Sequence, residues 1–255
     1  MCYQWRLILD PPMSGRANME KDLELMEKVA TGECPPSLRL YRWSPPAVSI
    51  GYFQDESEVV DLKGCRDSGV DVVRRPTGGR AVLHDQELTY SIIVPEAHPF
   101  INKGGVIDAY RSISRGIVTA FNLLNIVAAL APEEQGRAGL APGSCFDSST
   151  AYEIQVDGKK VVGSAQLRRD GIVLQHGSIL FRLPLDKYNI VLTKARPGNA
   201  NEIELGQKAA GLLDLGYDIS YNRMARALVK GFSMVIPAVF TSLDGLIYSK
   251  GDKYE

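Results

Sequence analysis

Seven consecutive residues, Arg74-Arg75-Pro76-Thr77-Gly78-Gly79-Arg80, put three guanidinium groups, a hydroxyl and two glycines into one loop. Glycines let a backbone approach a ligand, and backbone N–H groups beside arginines suit an anionic or carbonyl-bearing group. A plain turn with solvated arginines is the simpler use of the same residues. The loop is neither a Walker A sequence nor GxGxxG, and neither pattern occurs in the chain. Cys145 lies in Pro142-Gly143-Ser144-Cys145-Phe146-Asp147, among small residues where a substrate could reach a thiol. Cys34 before Pro35, and Cys65, have no supporting constellation, and packing is the common fate of such cysteines. Lys160 could supply a cation, although alone it reads as a solvated strand lysine. His84, in Leu83-His84-Asp85, is a turn residue or part of a pocket wall; His176 reads as a hydrogen-bonded structural histidine.

These residues need elements to position them. Met19, Leu23, Met26 and Ala30 recur at helical spacing over Asn18 to Ala30, and Thr31-Gly32 closes that helix. Leu38 to Tyr41 and Ala47 to Tyr52 read as strands around Ser44-Pro45-Pro46. Val70 to Arg74 is a further strand, and Ala81 to Val94 is extended. Val106, Tyr110, Ile113, Ile117, Phe121 and Leu124 form the apolar stripe of a long helix. Ala131 to Ser144, rich in Gly, Pro and Glu, reads as a mobile connection. A last stripe, Tyr221, Met224, Ala225, Leu228 and Phe232, runs toward Pro237.

Between them lies the most legible stretch. Ala151 to Val156 alternates, Asp157-Gly158 turns into the strand Lys159 to Arg169, and Asp170-Gly171 turns into Ile172 to Phe181. Two-residue turns set Gln155 opposite Lys160, Gln166 opposite Gln175 and Ser164 opposite Gly177. One face then carries Tyr152, Ile154, Val156, Val161, Leu167, Ile172, Leu174 and His176, and is expected to be core. The other carries Glu153, Gln155, Lys160, Val162, Ser164, Gln166, Gln175 and Gly177, and is expected to floor a binding groove. Strands in hairpins with segregated helices predict an α+β fold, with a mixed, largely antiparallel sheet flanked by helices. With no strong linker, residues 1–255 are expected to form one catalytic domain.

Composition narrows the function classes. The 255 residues hold 29 Lys and Arg against 30 Asp and Glu, a net charge of −1. That excludes a general electrostatic grip on nucleic acid. The N-terminus has no secretory pattern, and no apolar run approaches the roughly 20 residues of a membrane span. Four scattered cysteines without CxxC spacing argue against a zinc site and read as reduced thiols of a cytoplasmic protein.

Three ordered motifs then point to a family. Arg74-Arg75-Pro76-Thr77-Gly78-Gly79-Arg80-Ala81-Val82-Leu83-His84-Asp85, Gly158-Lys159-Lys160-Val161-Val162-Gly163-Ser164-Ala165-Gln166 and His176-Gly177-Ser178 resemble the biotin/lipoate protein ligase and lipoyl/octanoyl transferase superfamily, over roughly residues 38 to 195. The resemblance implies an acyl tunnel beside the arginine–glycine loop and an essential lysine at Lys160. On it, Arg74, Arg75, Thr77, Gly78, Gly79, His84, Val162, Gly163, Ser164 and Ala165 are the candidate substrate-binding residues. Gly143-Ser144-Cys145-Phe146-Asp147-Ser148 resembles the cysteine loop of the octanoyltransferase branch of Gram-positive bacteria. The short stretch after the Tyr221–Phe232 helix is expected to leave no room for the extra domain of many ligases.

What this branch implies is transfer through a thioester. Cys145 would take an octanoyl or lipoyl group from acyl carrier protein and hand it to a lysine of a lipoyl domain or a glycine-cleavage H-type protein. Lys160 would favour the thiolate and the oxyanion. Neither metal nor nucleotide is expected. Two alternatives stay open: an ATP- and Mg²⁺-dependent lipoate ligase working through a lipoyl-adenylate, and a non-catalytic acyl-binding subunit. For carrier docking the expected basic patch is Arg74, Arg75, Arg80 and, on the groove face, Arg168, all exposed.

Overall fold

A computed structural model describes residues 3–101, 105–131, 153–192, 202–236, 238–242 and 247–248. The chain begins with β1 (Tyr3–Leu9), α1 (Gly15–Ala30), β2 (Ser37–Tyr41) and β3 (Ala47–Ile50), then the short helices α2 (Glu56–Val59) and α3 (Leu62–Asp67). The strands β4 (Asp71–Arg74), β5 (Val82–His84) and β6 (Glu87–Pro95) lead to α4 (Val106–Leu123) and β7 (Ala128–Leu130). The hairpins β8 (Ile154–Val156), β9 (Lys159–Arg169) and β10 (Ile172–Leu180) follow, then α5 (Leu185–Val191) and α6 (Glu202–Lys208). Last come α7 (Tyr221–Val235), β11 (Ala238–Ser242) and β12 (Ile247–Tyr248).

Local chemistry sets these boundaries. Helix α1 starts before Asn18 because the Ser14 hydroxyl accepts from Ala17 N–H at 3.3 Å and caps it. Both hairpin turns place Asp then Gly at positive φ, 50° and 74° at Asp157-Gly158 and 53° and 73° at Asp170-Gly171. That is the geometry whose twist matches the strands it joins. The extended run from Ala81 is two strands rather than one: the chain leaves the small sheet after His84 and enters the large one at Glu87.

Nine of the described strands form one mixed sheet in the order β12-β11-β1-β2-β6-β10-β9-β8-β7, parallel only where β1 meets β11 and β2. A second sheet, β4-β3-β5, stands apart. Helices α4 and α7 cover one face of the large sheet, closing a core that includes Leu40, Tyr90, Ile92, Val162, Ile117 and Phe232. On the other face Leu25, Met26 and Val29 of α1 pack on Ile8, Ile93 and Leu174. Met19 joins Trp43 and Ala47 beside them, which brings the small sheet to this same side. The architecture is the predicted α+β one. No helix among the described residues is long and apolar enough to cross a membrane.

The pairings in the hairpin region match the expected ones: Gln155 opposite Lys160, Gln166 opposite Gln175, Ser164 opposite Gly177. Before Val161 the expected faces hold, with Ile154, Val156 and Val161 in the core, but beyond it the assignment of faces is reversed. Ser164 Oγ lies 2.8 Å from the Tyr90 hydroxyl, and Gln175 donates to that hydroxyl at 3.0 Å, on the face that α4 and α7 cover. Val162 is buried in the same core and does not stand on a groove. Ile154 pairs with Val162 while Gln155 pairs with Lys160, so Val161 is the extra residue of a β-bulge. Val161 and Val162 both bury under the helices. The alternation therefore inverts across the bulge and turns Lys160 to the opposite face, the one shared by Gly163 and Ala165. Plain alternation, which misses a bulge, gave Lys160 the neighbours Val162, Ser164 and Gln166 in place of Gly163 and Ala165.

Candidate active site

Between the large sheet, α1 and the small sheet lies a cavity with about 360 Å³ of empty space, counting its open mouth. Gly163, Ala165, His176 and Ser178 floor it, and Trp43, Arg75 and His84 wall it. Thus His176, which the reversed faces had consigned to core, looks into the cavity. Lys160 stands three residues before Gly163, about 10 Å along β9 at strand spacing. It is buried and ion-paired with Glu153, which is buried as well. Cys145, and the connection read as mobile beyond Ala131, lie outside the described residues.

The arginine–glycine loop is built around Arg75. Its guanidinium is buried, not exposed. It donates to the carbonyls of Ser49 (3.0 Å), Gly78 (2.8 Å) and Arg80 (2.7 Å), and to the hydroxyls of Ser49 (3.1 Å) and Thr77 (3.2 Å). A side chain so occupied shapes the loop and cannot serve as a docking cation. Gly79 adopts φ 90°, and a Cβ on Gly51 would sit 1.9 Å from the Gly79 carbonyl oxygen, so both positions require glycine. Arg74 is exposed, yet one nitrogen donates to the carbonyls of Gly51, Tyr52 and Gln54 at 2.8–3.1 Å, tying down the neighbouring loop. Arg168 belongs to the helix-covered side, where it meets the carbonyl of Gly105 at 2.9 Å. Of the four arginines expected to form a patch, Arg75 and Arg168 are removed from it.

Two chains of hydrogen bonds converge on Arg75. In one, Asp22 Oδ2 lies 3.3 Å from His176 Nδ1, and His176 Nε2 lies 2.7 Å from the Thr77 hydroxyl. In the other, Glu87 Oε1 lies 2.8 Å from His84 Nδ1, and His84 Nε2 lies 2.7 Å from the Ser49 hydroxyl. Asp22 is fully buried and also accepts from Arg39 (2.7 Å), Tyr41 (3.1 Å) and Ser91 (2.9 Å). Burial alone would raise its pKa, but the His176 hydrogen bond and the Arg39 charge outweigh that and hold it below the usual carboxylate range. Burial pushes His176 below the usual imidazole range, against the pull of Asp22, so its ring is neutral near pH 7. Glu87 Oε1 accepts as well from Thr89 (2.6 Å) and Ser178 (2.8 Å), and His84 stacks on Trp43 with ring centroids 4.0 Å apart.

Asp22, Glu87, Trp43, Ser49 and Ser178 were not foreseen in the site. The first lies on α1, far from every motif, where only an acidic residue on an otherwise buried helix face gave a hint. Of the other cysteines described, Cys65 is buried and its thiol is pushed up to about 11 by that burial, which unsuits it for thiolate chemistry. Cys34 is half-buried against Arg6.

Comparison with known proteins places this geometry. Residues 14–233 match the model of the lipoyl protein ligase A/B catalytic domain. The chain belongs to this family. Within it, the chain is 44% identical over 92% of its length to the octanoyltransferase LipM of Kyrpidia tusciae, covering 88% of that protein. It is 38% identical over 97% of its length to octanoyltransferase LipM of Clostridioides difficile, covering 92%. Among solved structures, a bi-partite lipoate protein ligase from Thermoplasma acidophilum, studied with its E2 lipoyl domain, superposes with a TM-score of 0.71 at 25% identity, over 94% of this chain and 86% of that one. A lipoate-protein ligase A bound with ATP gives 0.70 at 25% identity, over 95% and 88%. The lipoyl protein ligase catalytic domain of this chain thus includes the cavity, the arginine–glycine loop and Lys160, all inside the matched residues.

Proposed function

We propose that this chain is a cytoplasmic octanoyltransferase of protein lipoylation, acting over residues 1–255 as one catalytic domain. The 44% identity along nearly the whole chain to a protein named octanoyltransferase carries this reading. The named ligases stand at only 25%.

The donor is octanoyl-acyl carrier protein, and the acceptor a lysine of a lipoyl domain or of a glycine-cleavage H-type protein. Cys145 attacks the donor thioester as thiolate: the new S–C bond forms, the bond to the carrier sulfur breaks, the carrier leaves as thiolate, and an octanoyl-enzyme results. The acceptor amine then attacks that thioester, an amide forms and the Cys145 thiolate departs. The first step exchanges like for like and the second runs downhill, so no nucleotide enters. Lys160 faces the reacting carbonyl as an ammonium, where a single well-placed donor to an oxyanion is worth about 3 kcal/mol. The acyl chain lies over Gly163, which has no side chain, and Ala165, which has only a methyl, beside the Gly78-Gly79 backbone.

Incubating the full chain with octanoyl-acyl carrier protein, without nucleotide, tests this reading by intact mass. An octanoyl-enzyme is the expected product. The lipoate ligases among the structural relatives favour a second reading, and free lipoate used only with ATP and Mg²⁺ would select it.

A further inference from the structure

Resting on the reading that the arginine–glycine loop borders the acyl site, we propose that Asp22 and Glu87 are positioning residues that act on this loop through two convergent carboxylate–imidazole–hydroxyl chains. Neither carboxylate lies within the loop, and each reaches it through one histidine and one hydroxyl.

The direction of every hydrogen bond follows from what each group can do. Asp22 Oδ2 accepts, so His176 Nδ1 carries the proton and Nε2, lacking one, accepts from the Thr77 hydroxyl. The Thr77 oxygen is thereby left to accept from Arg75 Nε at 3.2 Å. The second chain runs the same way. Glu87 Oε1 accepts from His84 Nδ1, His84 Nε2 accepts from the Ser49 hydroxyl, and the Ser49 oxygen accepts from an Arg75 terminal nitrogen at 3.1 Å. Two carboxylates thus fix two tautomers, two tautomers aim two hydroxyls, and the hydroxyls hold adjacent edges of one planar fork. The fork in turn fixes the carbonyls of Gly78 and Arg80, which set the backbone presented to the cavity. Reversing either imidazole would set two acceptors, the bare Nδ1 and a carboxylate oxygen, face to face, and would aim Nε2–H at a hydroxyl oxygen that already accepts from Arg75. Thr77 and His84, expected among the substrate-binding residues, spend their polar atoms on this network instead.

The test uses the full chain and three readouts. Nitrogen-15 spectra should find both His176 and His84 protonated at Nδ1 alone near pH 7.5. In Asp22→Asn, His176 should lose that single tautomer while His84 keeps it; in Glu87→Gln the converse should hold. Amide exchange at residues 77–80 should quicken about tenfold in either variant, as loss of one such bond allows. The donor concentration for half-maximal octanoylation should rise about tenfold with a smaller change in maximal rate. Asp22→Asn risks misfolding because Arg39 also pairs with it, so Thr77→Val, nearly isosteric, is the second variant. It should reproduce the loop and donor effects, the double variant should be no worse than either single one, and Thr77→Ser should recover most of the loss. Multiplying effects in the double variant, an Nε2-protonated ring in the native protein, or unchanged loop exchange in Thr77→Val would each overturn the proposal. Tautomers and exchange need no turnover. A wild-type protein without transferase activity would defeat the functional reading and leave these two measurements to decide this one.

Discussion

Replacing Arg75 by lysine keeps the charge and removes the fork, which separates a clamp from a docking cation. In the native structure the guanidinium satisfies three carbonyls, of Ser49, Gly78 and Arg80, besides two hydroxyls. A lysine ammonium reaches that depth as a single point and can meet one of the three carbonyls well. Two acceptors are then left short of a partner in a buried place, at about 1–3 kcal/mol each. The expected destabilisation is about 4 kcal/mol, which for a chain of this size lowers Tm by roughly 10 °C. Thermal unfolding followed by circular dichroism measures it, with Arg74→Lys as the companion. Arg74 is exposed, so the same change there should cost about 1 kcal/mol or less. The reasoning is refuted if Arg75→Lys melts within about 2 °C of wild type and changes only the salt dependence of carrier use, the behaviour of a surface charge.

Further outcomes follow from single features of the fold. Removing Lys160 alone, as Lys160→Met, takes its ammonium partner from the buried Glu153 carboxylate and should cost about 3–5 kcal/mol; adding Glu153→Leu should restore much of the stability but none of the octanoylation, and recovery of activity would deny Lys160 a chemical part. Burial holds His98 and His176 below the ordinary imidazole pKa, so the unfolded chain binds more protons than the folded one below about pH 6.5. Their contribution to stability is complete above that pH and is lost as pH falls toward the depressed folded values; His98→Phe, keeping a ring between Tyr3 and Trp5, should flatten the acid limb of stability against pH, and an unaltered limb contradicts this. Gly51→Ala must displace the Gly79 carbonyl and should lower transfer from carrier at least about tenfold, given how steeply rates depend on small misplacements; wild-type kinetics would show that the two loops yield freely.

Much of this was legible in the residues themselves. Asp-Gly turns declared both hairpins, apolar stripes declared α1, α4 and α7, and the register of β8, β9 and β10 followed from turn length. The short helices α2, α3, α5 and α6 were not foreseen, because four to seven residues carry too little periodicity to register. Sheet faces went wrong for a different reason. Both faces are covered, one by α4 and α7 and the other by α1 and the small sheet, so hydrophobicity does not tell inside from outside, and the bulge at Val161 breaks the period of two. Arg75, His84, Gly163 and Ala165, singled out from their motifs, gather at the cavity, but the bonds they make were not legible. That Arg75 faces inward depends on acceptors supplied by Ser49, on another strand, and on carboxylates on α1 and β6, and such tertiary partners leave no mark in local spacing.

The central claim is transfer through Cys145, and intact mass tests it most directly. The purified chain, mixed with octanoyl-acyl carrier protein and no nucleotide, should gain the mass of one octanoyl group, and then lose it to a lipoyl domain that gains the same mass. Cys145→Ala should show neither change, while Cys2→Ala, Cys34→Ala and Cys65→Ala behave as wild type. Octanoyl-enzyme persisting in Cys145→Ala, or modification of the lipoyl domain only from free lipoate with ATP and Mg²⁺, would contradict the account.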